Sequence, residues 1–232
     1  MEFFKVLYED ENLLVVDKPA GIVVFPEKEE KEKTLIDLIL EKFPDLKNVG
    51  KSPRYGIIHR LDKDTSGILL VAKNNQSLFF FQKQFKEKKV IKKYLALIFG
   101  NLEKNQGSIE TLIGRSPKNR KKQKVYFPFE PNSKGKREAV TEYKVLKRFE
   151  IFTLVEATPE TGRKHQIRTH FSYLNHPIVG DKVYGFKNKV VEGLNRQFLH
   201  AFYLKIQLPN AKEKEFKSDL PQDLKKFLEK LN

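Results

Sequence analysis

Apolar and polar positions along this chain alternate mostly with period two, in short runs separated by turn residues. Phe4 to Tyr8, Leu13 to Val16 and Ile22 to Phe25 read as strands, with Asp17-Lys18-Pro19-Ala20-Gly21 as turn chemistry between the last two. The period changes to 3.6 after Thr34: Leu35, Leu38, Ile39 and Phe43 predict an amphipathic helix with a hydroxyl cap, stopped by Pro44. Ile57-Ile58 and Ile68 to Ala72 are strand-length apolar runs around a polar segment at 59–67. A second helix is predicted over 75–88, with Leu78, Phe81 and Phe85 on its buried stripe and the Phe79-Phe80-Phe81 cluster assigned to the core. Further strands are expected at 94–99, 108–113, 140–146, 152–157 and 198–208, and a helix at 162–173. Strands outnumber helices and follow one another without regular crossover helices. The pattern therefore predicts an α/β (α+β) fold with a mixed, largely antiparallel central sheet and flanking helices.

At 232 residues the chain is long enough for one sizeable core, and no repeat or flexible linker divides it, so a single domain over 1–232 is expected. The 45 Lys and Arg against 30 Asp and Glu give a net charge of +15, which suits a polyanionic partner, nucleic acid first. Cysteine is absent, which removes disulfides and thiolate metal sites. No apolar run reaches membrane-span length and the first residues lack a signal peptide's order, so a soluble cytoplasmic protein without membrane contact is expected. Six of the ten residues from Arg115 to Lys124 are basic and none is apolar. This tract is expected to be a mobile loop that clamps phosphates through Arg115, Lys118, Arg120, Lys121 and Lys122.

Two polar segments carry the candidate chemistry. His59-Arg60-Leu61-Asp62-Lys63-Asp64-Thr65-Ser66-Gly67 interrupts two apolar strands, a common setting for an active site. Glu160-Thr161-Gly162-Arg163-Lys164-His165-Gln166-Ile167-Arg168 is a turn feeding a helix, where Arg163 and His165 suit anion contacts. His165 and His170 are five apart and His165 is followed by Gln, so the zinc-protease helix pattern is missing and no metal is expected. Asp62-Lys63-Asp64-Thr65 also matches the D-x-D-x-T nucleophile loop of haloacid-dehalogenase-type phosphatases, but the later acidic pair that chemistry needs is not present as any Asp-Asp.

His59-Arg60-Leu61-Asp62 with Thr65-Ser66-Gly67-Ile68-Leu69-Leu70-Val71-Ala72-Lys73 resembles the signature of RluA-type pseudouridine synthases. Asp17 to Gly21, Lys93-Tyr94, Thr161-Gly162-Arg163 through Arg168, Gly180-Asp181 with Tyr184-Gly185, and Leu199-His200-Ala201 resemble further family segments in family order. The resemblance implies the pseudouridine synthase catalytic fold, isomerisation of uridine to pseudouridine in ribosomal or transfer RNA, no cofactor, and a monomer. It also implies a catalytic domain without the S4-type module of many relatives. By the same resemblance Asp62 is the catalytic carboxylate, Tyr94 lies against the target base, and Arg168 supplies the counter-charge to Asp62. Arg60 is implied to fill the space of the flipped nucleotide and His59 to belong to the RNA-contacting set, while Leu199 is either a pocket wall or a core residue. The rival from another class is a non-catalytic RNA-binding or ribosome-assembly factor on the same scaffold.

Overall fold

A computed structural model describes residues 3–26, 32–186 and 191–231. The chain divides into two compact units, Met1–Ile91 with Ala201–Asp219, and Lys92–His200 with Leu220–Asn232.

In the first unit β1 (Lys5–Glu9) pairs antiparallel with β2 (Leu13–Lys18), and β2 with β3 (Ser66–Ala72). Every residue of β3 is buried, which is why its sequence is a continuous apolar run rather than an alternation. The part of β9 (Leu199–Gln207) from Ala201 onward lies beside β3 and carries β10 (Glu213–Lys217) antiparallel on it. Helix α1 (Leu35–Lys42) starts where the Thr34 N–H and hydroxyl both donate to the Asp37 carboxylate, at 2.9 and 2.7 Å. Helix α2 (Asn75–Lys86) is capped by Asn74, whose side chain accepts from the Ser77 N–H at 2.8 Å, and it packs on β3 through Leu78 and Phe81.

In the second unit β4 (Ile91–Phe99), β8 (Phe152–Pro159), β7 (Arg137–Arg148), β5 (Gln106–Arg115) and β6 (Gln123–Tyr126) follow in that spatial order, every neighbouring pair antiparallel. Helices α3 (Gln166–Tyr173) and α4 (Gln222–Glu229) pack Ile167, Phe171, Leu224 and Phe227 into a core with Leu97, Val155, Phe198 and Leu199. The architecture is the mixed, largely antiparallel one that the periodicity predicts. Among the described residues no helix is long and apolar enough to cross a membrane.

Several local expectations need correcting. Residues 22–25 form no strand: the Val23 and Val24 carbonyls accept the first N–H groups of α1, from Leu35 and Ile36 at 2.8 and 3.0 Å, so they serve a helix end and not a ladder. Ile57-Ile58 makes one isolated bridge, to Val71. Phe79 points outward at 72% exposed while Phe81 is buried, because α2 presents only one face to the sheet. The basic tract is less loop-like than expected, since Arg115 closes β5 and Gln123-Lys124 open β6.

The second unit also buries a polar triad. His170 on α3 has no exposed surface, and its ring nitrogens meet the hydroxyls of Thr111 on β5 at 3.0 Å and Thr141 on β7 at 2.9 Å. Burial lowers its pKa to about 4. The unfolded chain, with an ordinary His near pH 6.5, therefore binds the proton first as pH falls, and stability must drop between about pH 6.5 and 4 by on the order of 3 kcal/mol. Urea unfolding across this range should show that loss, and His170→Gln should flatten it; an equal slope in the variant would remove His170 as its source.

Candidate active site

The two motifs at 17–21 and 59–67 are joined by one side chain. Lys18 at the end of β2 is fully buried and its ammonium donates to three carbonyls, of Pro19 at 2.8 Å and of Lys63 and Thr65 at 2.9 Å. The Gly21 N–H adds a second tie to the Lys63 carbonyl at 2.9 Å. Asp62 sits half-buried at the head of the turn so held, its own carbonyl accepting from the Thr65 N–H at 3.1 Å. A buried ammonium is costly unless its donors are used, and here all three are, which fixes the backbone of the turn that follows Asp62. Gly67 then leaves the turn at φ +118, where a Cβ would run into the Ala201 backbone, so both conformation and space require glycine.

The neighbours of Asp62 in the first unit are engaged in packing. His59 stacks on Phe85 with ring centroids 4.9 Å apart and accepts the Leu70 N–H through Nε2 at 3.2 Å. The Arg60 guanidinium lies 5.0 Å from the Phe25 ring, and Arg54 lies 4.8 Å from the same ring.

In the second unit Tyr94 stands half-buried on β4 against the main core. Lys92, two residues earlier and so on the same face of the strand, has its pKa lowered to about 8 by burial first and by the charge of Arg163 second. The turn before α3 is built around Gln166, whose side-chain oxygen accepts from the Thr161 hydroxyl at 2.7 Å and the Arg163 N–H at 3.0 Å, while its amide donates to Val140 and Thr141, each at 2.9 Å. His165 adopts the left-handed conformation at φ 56, so the helix begins at Gln166, four residues later than its sequence suggests.

Arg168 is 5% exposed and makes a two-pronged ion pair with Asp181, Nε to Oδ2 at 2.7 Å and the terminal nitrogen to Oδ1 at 2.9 Å. Burial alone would raise the Asp181 carboxyl, but the Arg168 guanidinium and the N–H groups of Tyr184 and Val183 outweigh it and hold the group below its ordinary range. The Tyr184 ring lies 5.1 Å from the same guanidinium. Its hydroxyl accepts the Gln123 N–H at 2.7 Å and meets His165 Nδ1 at 2.9 Å, tying the foot of the basic tract to this network. The sequence marks Gly180-Asp181 and Tyr184 as motif positions but gives them no role, because their partners lie 13 to 61 residues away.

Lys118, Arg120 and Lys121 are exposed and Lys122 half-buried in the connection between β5 and β6. Arg163 Nε donates to the Glu138 carbonyl at 2.7 Å. Leu199, for which the sequence leaves a pocket wall or the core open, is 4% exposed within the core of the second unit. Among the described residues no three His, Asp or Glu side chains gather as a metal site.

A family model described as RNA pseudouridylate synthase matches residues 12–173. A protein of Aquifex aeolicus named uncharacterized RNA pseudouridine synthase is 44% identical over 80% of this chain and 57% of its own length. One of Borreliella burgdorferi named ribosomal large subunit pseudouridine synthase D is 40% identical over 96% of this chain and 67% of its own. The chain thus spans little more than half of the first relative and two thirds of the second. The solved structure titled Human RNA Pseudouridylate Synthase Domain Containing 4 superposes with a TM-score of 0.79 at 27% identity, covering 97% of this chain and 92% of that one.

Two substitutions test the supports. Lys18→Met removes a donor from three carbonyls, of which that of Lys63 keeps the Gly21 N–H, and should lower the unfolding free energy by about 2 kcal/mol or more, at about 1–3 kcal/mol for each group left without a donor; an unchanged urea midpoint would show that the tie contributes nothing. Asp181→Ala strands the buried Arg168 charge and should cost about 3–5 kcal/mol near pH 7. Because the Asp181 pKa is depressed, the difference from wild type should persist down to about pH 4 and shrink only as acid protonates the carboxylate.

Proposed function

The chain belongs to the RNA pseudouridylate synthase family, and on that premise we propose that it isomerises selected uridines of structured RNA to pseudouridine. The observation that carries the reading is the Lys18-pinned turn before β3, which presents a half-buried carboxylate, Asp62.

The reaction breaks the bond from uracil N1 to ribose C1′, turns the base over and joins C5 to C1′. The C5 hydrogen leaves as a proton and N1 gains one, so nothing is oxidised and no group is added. Asp62 acts on the ribose or the base as nucleophile, proton acceptor or electrostatic partner. Tyr94 offers a flat ring to stack on the uracil and a hydroxyl that carries a proton. Arg168, aimed by Asp181 and Tyr184, provides a fixed positive charge for the reacting centre. A uridine in folded RNA must be flipped out at a cost of a few kcal/mol, and Arg60 and the basic residues 115–122 offset that cost. Arg163 and His165 complete the phosphate contacts and His59 braces the Asp62 loop.

Large-subunit ribosomal RNA is the favoured substrate over transfer RNA, in keeping with the name of the Borreliella relative. The protein acts as a cytoplasmic monomer, and its net charge of +15 supports direct binding to RNA.

The experiment is pseudouridine mapping by carbodiimide adduct and primer extension on total RNA incubated with the protein in EDTA. New stops in ribosomal RNA are expected. Tight binding with no new stops in any RNA would mean a non-catalytic scaffold, and phosphate release in a parallel reaction with magnesium in place of EDTA would mean the phosphatase reading of Asp62. Binding itself should fall with salt with a log-log slope near −4, as about six neutralised phosphates on a single strand require; a slope near zero, read by filter binding between 50 and 200 mM salt, would contradict an electrostatic RNA interface.

A further inference from the structure

The segment that leaves β6 exposes a row of aromatic rings. Phe127 and Phe129 stack nearly parallel, with centroids 5.6 Å and planes 10° apart, and Tyr173 at the end of α3 meets Phe127 edge-on at 5.7 Å. Phe127 is thus held between two rings. Phe129 is 84% exposed, and Tyr173 is 45% exposed. A large apolar ring left in water is unremarkable alone, but three in contact at one surface spot mark a binding surface.

The backbone is built to hold the ring there. The Glu130 N–H donates to the Phe127 carbonyl, Ser133 N–H to Glu130 and Lys136 N–H to Ser133, each at 3.0 Å, and the Ser133 hydroxyl donates to the Pro128 carbonyl at 2.9 Å. Pro128 and Pro131 stiffen the same turns.

The surroundings select the occupant. Residues 115–137 contain nine Lys and Arg and one Glu. Next to the row, the Lys124 and Lys136 ammonium groups each lie 5.0 Å from the Tyr126 ring, and the Tyr126 hydroxyl donates to the Arg115 carbonyl at 3.0 Å, joining the aromatic row to the base of the basic hairpin. Interleaved cations and open aromatic faces are what single-stranded RNA requires, phosphates on the first and a base on the second. A protein interface would instead deplete lysine around its aromatic centre, and a second copy of a +15 chain would bring like charge to like.

We propose that Phe129, backed by Phe127 and Tyr173, is a stacking platform for one unpaired base of the RNA, outside the reacting nucleotide and adjacent to the phosphate track of residues 115–124. The proposal rests on the RNA-substrate reading above.

The chain contains no tryptophan, so Phe129→Trp makes a single-tryptophan reporter. Titrated with a single-stranded oligoadenylate, its fluorescence should be quenched to saturation. An abasic oligonucleotide of equal length, with the same phosphates and no bases, should bind without quenching. Phe129→Ala should bind oligoadenylate roughly tenfold more weakly than wild type, as loss of one base–aromatic stack implies, with affinity for the abasic strand unchanged. Because Phe129 is so exposed, both variants should keep the wild-type circular dichroism and unfolding midpoint. No quenching together with equal affinities would overturn the platform. So would concentration-dependent quenching without RNA and a dimer in sedimentation, which would assign the row to self-association. If wild type forms pseudouridine while Phe129→Ala binds like wild type, the platform alone fails; if stacking is observed but wild type modifies no RNA, the enzymatic reading fails and the platform stands.

Discussion

The first unit depends on one buried charge. The Lys18 ammonium could not leave water for a fully buried site unless each of its protons met an acceptor, and two of the acceptors it meets lie 45 and 47 residues further along the chain. One side chain therefore sets the path of the turn that carries Asp62. The cost of desolvating it is offset only if that path is kept, so the support and the position of the Asp62 carboxylate are coupled by construction. Gly67 completes the constraint, since β3 begins in a conformation and at a distance from the Ala201 backbone that a side chain would not allow.

The second unit uses a paired charge for the same end. Arg168 is held from two sides, by the two oxygens of Asp181 and by the Tyr184 ring, and Asp181 is in turn fixed by two backbone N–H groups. A guanidinium clamped in this way loses little freedom on meeting a ligand, which is the property a transition-state contact needs. The Tyr184 hydroxyl extends the network to Gln123 at the foot of the basic hairpin, so the residues suited to hold phosphate and the arginine suited to act at the reacting centre share one framework.

What the sequence reveals follows the range of the interactions concerned. Period-two and period-3.6 patterns place β1, β2, β3, α1 and α2 to within a few residues, because their cores are locally encoded. They mistake Ile22 to Phe25 for a strand, because its carbonyls serve the start of α1, and they place Phe79 in the core, because a run of three Phe does not say which faces inward. The short β6, β10 and α4 go unseen: β6 is hidden in a basic tract, β10 is a five-residue strand with four charged or polar positions, and α4 relies on partners distant in sequence. The motifs single out Asp62, Tyr94 and Arg168 as candidates. The contacts around the Asp62 turn and the Arg168 network are not legible in them, since Lys18 to Thr65 and Tyr184 to Gln123 span 47 and 61 residues. The helix at 166 starts late for a reason only the structure provides, a left-handed His165 stabilised by its bond to Tyr184.

The central claim is that the carboxylate of Asp62 performs the isomerisation. Joining C5 to the ribose expels the hydrogen on C5, so single-turnover release of tritium from RNA labelled at uracil C5 reads the reaction itself. With Asp62→Asn, which keeps the size of the side chain and changes no contact of the Lys18 tie, RNA affinity and the unfolding midpoint should match wild type while release falls at least a thousandfold, about 4 kcal/mol in the barrier. Release at the wild-type rate by a folded, RNA-binding Asp62→Asn protein would contradict the account.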